Sequence, residues 1–176
     1  MKNLFVAFLM LAFAAGPVFS QHNEWSLFSS KEANVEAMFP GKPVLTKTGD
    51  KAPITYQIML DRGDTAFILM TMDISLASAN PTRETLKFAY DAGRDGLLKT
   101  FAGSKLMSER DMTIDGKFGR EILVHTNDYY LRYRFFAHGN RLYEAGVATA
   151  LTRKDEPSLQ AEFDRFFDSF QIFRGR

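Results

Sequence analysis

The chain has 176 residues with 22 basic and 21 acidic side chains, and Lys2 near the start supplies the single net positive charge. That balance gives no electrostatic drive toward nucleic acid or an anionic membrane. Cysteine is absent, which excludes thiol nucleophiles, thiolate metal sites and disulfides; an apolar core must hold the fold, and 17 phenylalanines and six tyrosines are there to build it.

Residues 1–20 carry the pattern of a secretory leader: Lys2 at the positive start, an apolar run from Leu4 to Ala15, and Val18-Phe19-Ser20 as a small-residue cleavage site before Gln21. The apolar run is too short to span a bilayer comfortably. No cysteine follows it to accept a lipid. Residues 21–176 are therefore expected to form one domain in the periplasm or outside the cell, with no transmembrane segment once the leader is removed.

Trp25 to Ser29 and Asn34 to Phe39 read as an opening pair of short strands joined through Ser30-Lys31-Glu32. Pro40-Gly41-Lys42-Pro43 stops the second, because proline lacks the amide a ladder needs. It is a corner and not a phosphate cradle, which would need several adjacent amides and a following helix. A polar stretch, Thr46 to Ala52, follows. Ile54 to Leu60 and Ala66 to Ile74 then predict a hairpin around Asp61-Arg62-Gly63-Asp64. Both faces of the return strand are apolar, so it is expected in the sheet interior, covered on both sides.

Asn80-Pro81 predicts a helix start, with Leu86, Ala89, Tyr90, Gly93, Leu97 and Phe101 along one stripe. Gly93 and Gly96 each cost about 1 kcal/mol against alanine there. A close approach of the helix to the sheet would explain them, and so would a kink. Ala102-Gly103 ends the helix, Leu106 to Ile114 is a further strand, and Asp115-Gly116 turns the chain into a meander over Lys117 to Thr149.

Within the meander Tyr129, Leu131, Tyr133, Phe135 and Ala137 alternate with Tyr130, Arg132, Arg134, Phe136 and His138, so the odd positions are expected in the core. A two-residue Asn127-Asp128 loop sets Val124 against Leu131, Ile122 against Tyr133, and Glu121 against Arg134. If that last pair lies on an exposed face, it is worth no more than about 1 kcal/mol. For the second turn, a two-residue Gly139-Asn140 loop and a three-residue loop that includes His138 predict registers one position apart. The longer loop is preferred, because it sets Tyr143, Ala145 and Val147 against Phe135, Tyr133 and Leu131 and puts Glu144 across from Arg134. The shorter one would place Glu144 against Phe135. Last comes the clearest helix, with Leu159, Phe163, Phe166, Phe167 and Phe170 on one face.

The chain resembles the PsbP-like family of small exported α/β/α domains. The resemblance rests on Trp25-x-x-Phe28-x-Ser30, Phe39-Pro40-Gly41-Lys42-Pro43, Gly119-Arg120-Glu121, the Arg132/Arg134 strand, Arg141-Leu142-Tyr143 and Phe167-x-Ser169-Phe170, in that order along nearly the whole of residues 21–176. It implies an α+β fold: an antiparallel sheet of about six to eight strands covered by helices on both faces. Family members include extrinsic photosystem subunits and a nuclear-transport factor that binds a small GTPase, so the resemblance carries architecture and no activity.

Candidate chemistry is sparse. His22 precedes the first strand, His138 sits at a turn, and His125 has Glu121 four residues away, about 13 Å by strand rise, too far for joint ligation. Asp61-x-x-Asp64 is ordinary turn chemistry, Asp73 adds no calcium-loop pattern, and no serine has the surroundings of a nucleophile elbow. Neither cofactor nor metal is expected. The concentrated surface is the polar face of the meander, where His125, Tyr130, Arg132, Arg134 and Phe136 form the candidate binding residues. The preferred reading of that face is that a second layer, such as the helix after Pro81, covers it with the arginine stems packed beneath. The expected function is an exported, non-enzymatic binding or accessory module for a protein or small ligand. The alternative is a small-molecule-binding enzyme whose site has no recognisable signature.

Overall fold

The computed structural model describes residues 24–50, 53–74, 81–114 and 116–173. The expected leader, and with it His22, lies outside them. Strands β1 (Ser26–Ser30) and β2 (Val35–Phe39) are followed by β3 (Val44–Thr48), β4 (Thr55–Asp61) and β5 (Thr65–Asp73). Helix α1 (Arg83–Thr100) precedes β6 (Lys105–Ile114), β7 (Lys117–His125), β8 (Tyr129–His138) and β9 (Arg141–Ala150), and α2 (Pro157–Ser169) leads into β10 (Gln171–Ile172). Seven strands form one sheet in the order β3-β4-β5-β9-β8-β7-β6, with every pair antiparallel, and β1-β2-β10 form a smaller one. The expected α+β class is present.

Side chains of the large sheet divide by alternation between two cores. Tyr56, Ile58, Leu60, Phe67, Leu69, Phe136, Tyr143, Ala145 and Val147 pack with β2 and with the phenylalanines of α2. Ala66, Ile68, Ile122, Val124, Leu131, Tyr133, Phe135, Leu142 and Ala148 pack with Leu86, Tyr90 and Leu97 of α1. Both alternations of β5 are buried, as its composition predicts, and its neighbours are β4 and β9. Strand β3 escapes the sequence pattern because all five of its residues are exposed and only backbone pairing to β4 marks it as a strand.

Helix α1 starts later than expected. Thr82 is its N-cap and its hydroxyl accepts from the Thr85 amide at 3.3 Å, so Pro81 precedes the cap, while Asn80 lies outside the described residues. The close-approach reading of Gly93 holds, since a Cβ there would come within 2.9 Å of the Phe135 ring.

The first meander turn sets the expected register: Val124 faces Leu131, Ile122 faces Tyr133 and Glu121 faces Arg134. The second turn corrects the expected one. His138 pairs with Arg141, so the loop is the two-residue Gly139-Asn140, with Gly139 at φ 58° in the left-handed region. Phe135 therefore faces Glu144, Phe136 faces Tyr143, and Tyr143, Ala145 and Val147 join the α2 core. The three-residue preference assumed that β9 has a polar side to spare, but Leu142 to Thr149 are all buried. Packing decides instead. Tyr143 stacks on Phe136 with centroids 5.1 Å apart and planes at 4°, and the Tyr133 ring lies where any Cβ on Gly146 would collide with it.

Helix α2 begins with proline in its first turn and buries Leu159, Phe163, Phe166 and Phe167. Phe67 receives Phe163 and Phe166 at centroid distances of 5.8 and 5.4 Å, and Phe39 meets Phe166 at 5.2 Å. A free helix of this length is marginal in water, so these rings hold it in place. Phe163→Ala or Phe167→Ala is expected to cost about 3–5 kcal/mol through lost burial and an unfilled cavity. Urea unfolding checks this, and midpoints near the wild type's would mean that α2 is not docked.

Candidate functional site

On the α2 side of the sheet, β6, β7 and β8 bring an acidic side chain among three arginines. The Glu121 side chain is 5% exposed. Its Oε1 accepts from Arg110 Nε and Nη2 at 3.0 and 2.6 Å, and its Oε2 accepts from Arg132 Nε at 3.0 Å and Arg134 Nε at 2.8 Å. Burial alone would push the Glu121 pKa up; the hydrogen bonds from Arg134 and Arg110 and the charge of Arg132 outweigh it and hold the carboxylate below its ordinary value. Helix α2 completes the cluster. Asp164 accepts from Arg132 at 2.8 Å, and the Phe167 ring lies against the Arg132 and Arg134 guanidinium groups at 5.0 and 4.5 Å.

The Glu121–Arg134 pair therefore has the expected register and lies beneath a second layer. The polar face of β8 is covered, and the cover comes from α2 and not from α1. Sequence periodicity pairs the strands correctly but cannot say which helix lies above them.

The structure brings four of the five candidate residues together at the edge of α2. The Arg132 and Arg134 side chains are 13% exposed, and His125 packs edge-on against Tyr130 at 5.7 Å, both partly exposed. Phe136 is separate, buried between Tyr143 and Phe170. Beyond α2 the same alternation continues onto β6, where Lys105, Ser108 and Arg110 pair with His125, Leu123 and Glu121 and are all exposed. The ladder is irregular between Leu106 and Ser108, leaving Met107 out of the pairing and 54% exposed. The result is a shelf with basic and aromatic edges and α2 as its wall. Arg110, Asp164 and Phe167 were missed because they come from a charged edge strand and a helix whose docking the sequence does not specify.

The α1 side holds a second polar layer. The Arg120 side chain, 7% exposed, binds Asp91 at 2.5 Å, Glu109 at 2.7 Å and Asp111 at 3.2 Å, and Arg94 binds Glu109 at 2.9 Å. The Tyr90 hydroxyl donates to the Phe118 carbonyl at 2.9 Å, and burial raises its pKa to about 12. Near the start of α1, a cleft of about 440 Å³ is lined by Pro81, Arg83, Leu86, Asp111, Met112, Thr113 and Phe118. Among the described residues no three His, Asp or Glu side chains converge as a metal cage requires, and no helix is long and apolar enough to cross a membrane.

Glu144 contrasts with Glu121. It is 3% exposed, its Oε2 has no hydrogen-bond partner among the described residues, and burial raises its pKa to about 8. Its position on the α1 side follows from the two-residue turn.

No protein-family model and no curated protein matches the chain in sequence. Among solved structures, the chain is similar to cyanobacterial PsbP from Synechocystis sp. PCC 6803, with a TM-score of 0.56 and 14% identity over 93% of this chain and 99% of that one. It is also similar to a protein of unknown function from Pseudomonas aeruginosa described as a putative regulator, with a TM-score of 0.48 and 17% identity over 86% of this chain and 99% of the other. A Bacteroides thetaiotaomicron structure gives 0.40 and 11% over 84% of this chain and 48% of its own. The first likeness concerns the fold alone.

Glu121→Gln is expected to destabilise by about 3–5 kcal/mol, because it leaves largely buried guanidinium groups uncompensated. Since the folded pKa is lowered, the contribution of this carboxylate is present above its ordinary pKa and is lost as pH falls through the folded value. Urea midpoints at pH 7 check the variant, and a loss below about 1 kcal/mol would mark the cluster as a surface pair.

Proposed function

We propose that the chain is an exported, non-enzymatic binding or accessory module of the PsbP-like type, an α/β/α sandwich with α1 and α2 on opposite faces of the large sheet, and that the shelf beside α2 is its binding surface. The reading is carried by one observation: Arg132 and Arg134 are fixed by Glu121 and Phe167 beside Tyr130 and His125, with Arg110 63% exposed at the open end. Arginine and tyrosine are the side chains that protein-binding surfaces favour. Guanidinium groups already held in place lose little freedom when a partner meets them. For the enzyme alternative, the cleft at the start of α1 offers one lining carboxylate, Asp111, and it is engaged by Arg83 and Arg120.

Export and binding are tested together by placing a photo-crosslinking side chain at Ser108 on the shelf and, as control, at Lys99 on the exposed side of α1. The protein recovered outside the cytoplasm should begin at Gln21. Ser108 should give a discrete adduct that Arg110→Glu removes, while Lys99 gives none. An intact Met1, no adduct from Ser108, or equal adducts from both positions would contradict the proposal.

A further inference from the structure

Glu144 occupies the α1 side of β9, the middle strand of the large sheet, between Met70 of β5 and Phe135 of β8. Its roof is α1 at Gly93, where a Cβ would lie 3.7 Å from Glu144 Oε1 and 2.9 Å from the Phe135 ring. An ionisable group has been closed under a helix at the helix's thinnest residue, and among the described residues nothing neutralises it.

The polar ties of α1 lie elsewhere. Arg94 reaches Glu109 on β6, Asp91 reaches Arg120 on β7, Arg83 reaches Asp111 on β6, and Tyr90 reaches the Phe118 carbonyl on β7. All of them fasten the helix along the β6–β7 side. Toward β9 the helix rests, among the described residues, on packing, with Leu86, Tyr90, Gly93 and Leu97 as its buried residues. The charged or titratable groups nearest Glu144 are few. From α1 there is Tyr90, committed to Phe118, with Asp91 and Arg94 turned to β6 and β7; from β8 there is Tyr133, whose pKa burial and the nearby Glu144 both raise. From β7, Arg120 is occupied by Asp91, Glu109 and Asp111; on β5, Ile68, Met70 and Met72 share the alternation, and Asp73 at the strand end pairs with Arg141.

We propose that α1 is a proton-linked latch: neutral Glu144 permits docking at Gly93, and loss of its proton is coupled to lifting of the β9 side of the helix about its β6–β7 ties. Water entering at that margin solvates the carboxylate and removes the penalty of enclosing it. Closed, the group titrates at about 8; open, it returns to its ordinary 4.5. The open state therefore binds fewer protons between those values, and its population rises with pH by up to about tenfold per unit, levelling off above them. Lifting uncovers the apolar surface around Tyr133 and Phe135. The latch concerns the α1 side and stands independently of the proposed shelf.

Amide hydrogen exchange on the full chain from pH 5 to 8, corrected for intrinsic exchange rates, reads this opening directly. Protection of α1 is expected to fall by up to about tenfold per pH unit in the wild type while β8 and β9 stay better protected, and to be flat with pH in Glu144→Gln. The same slope in wild type and variant overturns the latch. So does equal protection of α1 and β9 at every pH, which would make the opening global. The second criterion uses wild type alone and decides the question even if the variant fails to fold.

Discussion

The ladder between β8 and β9 is closed by two residues, Gly139 and Asn140, and the rest of the molecule depends on that length. A strand's side chains alternate, so one residue more in the loop would turn β9 over relative to β8. In the register adopted, Tyr143 meets Phe136 and Phe170 beside α2, and Gly146 lies under the Tyr133 ring beside α1. Both cores are built on these contacts. Glu144 is buried as a consequence, and a cost of that kind persists only where the surrounding packing outweighs it.

The two enclosed carboxylates show how environment sets chemistry. Glu121 and Glu144 are both buried, yet one lies among Arg110, Arg132 and Arg134 and the other has, among the described residues, no partner for its Oε2. Burial opposes ionisation in both; only at Glu121 is it overcome. Their contributions to stability run in opposite directions. That of Glu121 is lost toward acid, whereas the stability tied to neutral Glu144 is full below 4.5 and is lost as pH rises through about 8. The first arrangement makes a rigid platform beside α2, and the second makes the α1 contact conditional.

Much of the fold was legible because alternation and turn chemistry act over short distances. Asn127-Asp128 and the matched pairs around it determine the β7–β8 register, and the ring spacing in α2 identifies its buried face. Gly93 announced a close approach that the helix makes. What stayed hidden depends on partners distant in sequence. Strand β3 carries no burial signal, the choice of α2 to cover Arg132 and Arg134 is a tertiary event, and the polarity of Glu144 argued for the wrong turn. A lone charged residue is a poor guide to register when both faces of its strand are buried, since cross-strand pairing contributes only about 0.2–1 kcal/mol per pair. Of the candidate binding residues, His125, Tyr130, Arg132 and Arg134 gather at one edge because they share an alternation, while Phe136 shares it too and is drawn beneath Phe170.

The register is most directly tested by following the Glu144 side-chain carboxyl by ¹³C NMR in the intact protein, assigned by comparison with Glu144→Gln. With a two-residue turn the group is enclosed without a partner, and its titration should centre near 8. A three-residue turn would set it across from Arg134, and a midpoint at or below the ordinary value of 4.5 would contradict the register and the α1 contact built on it.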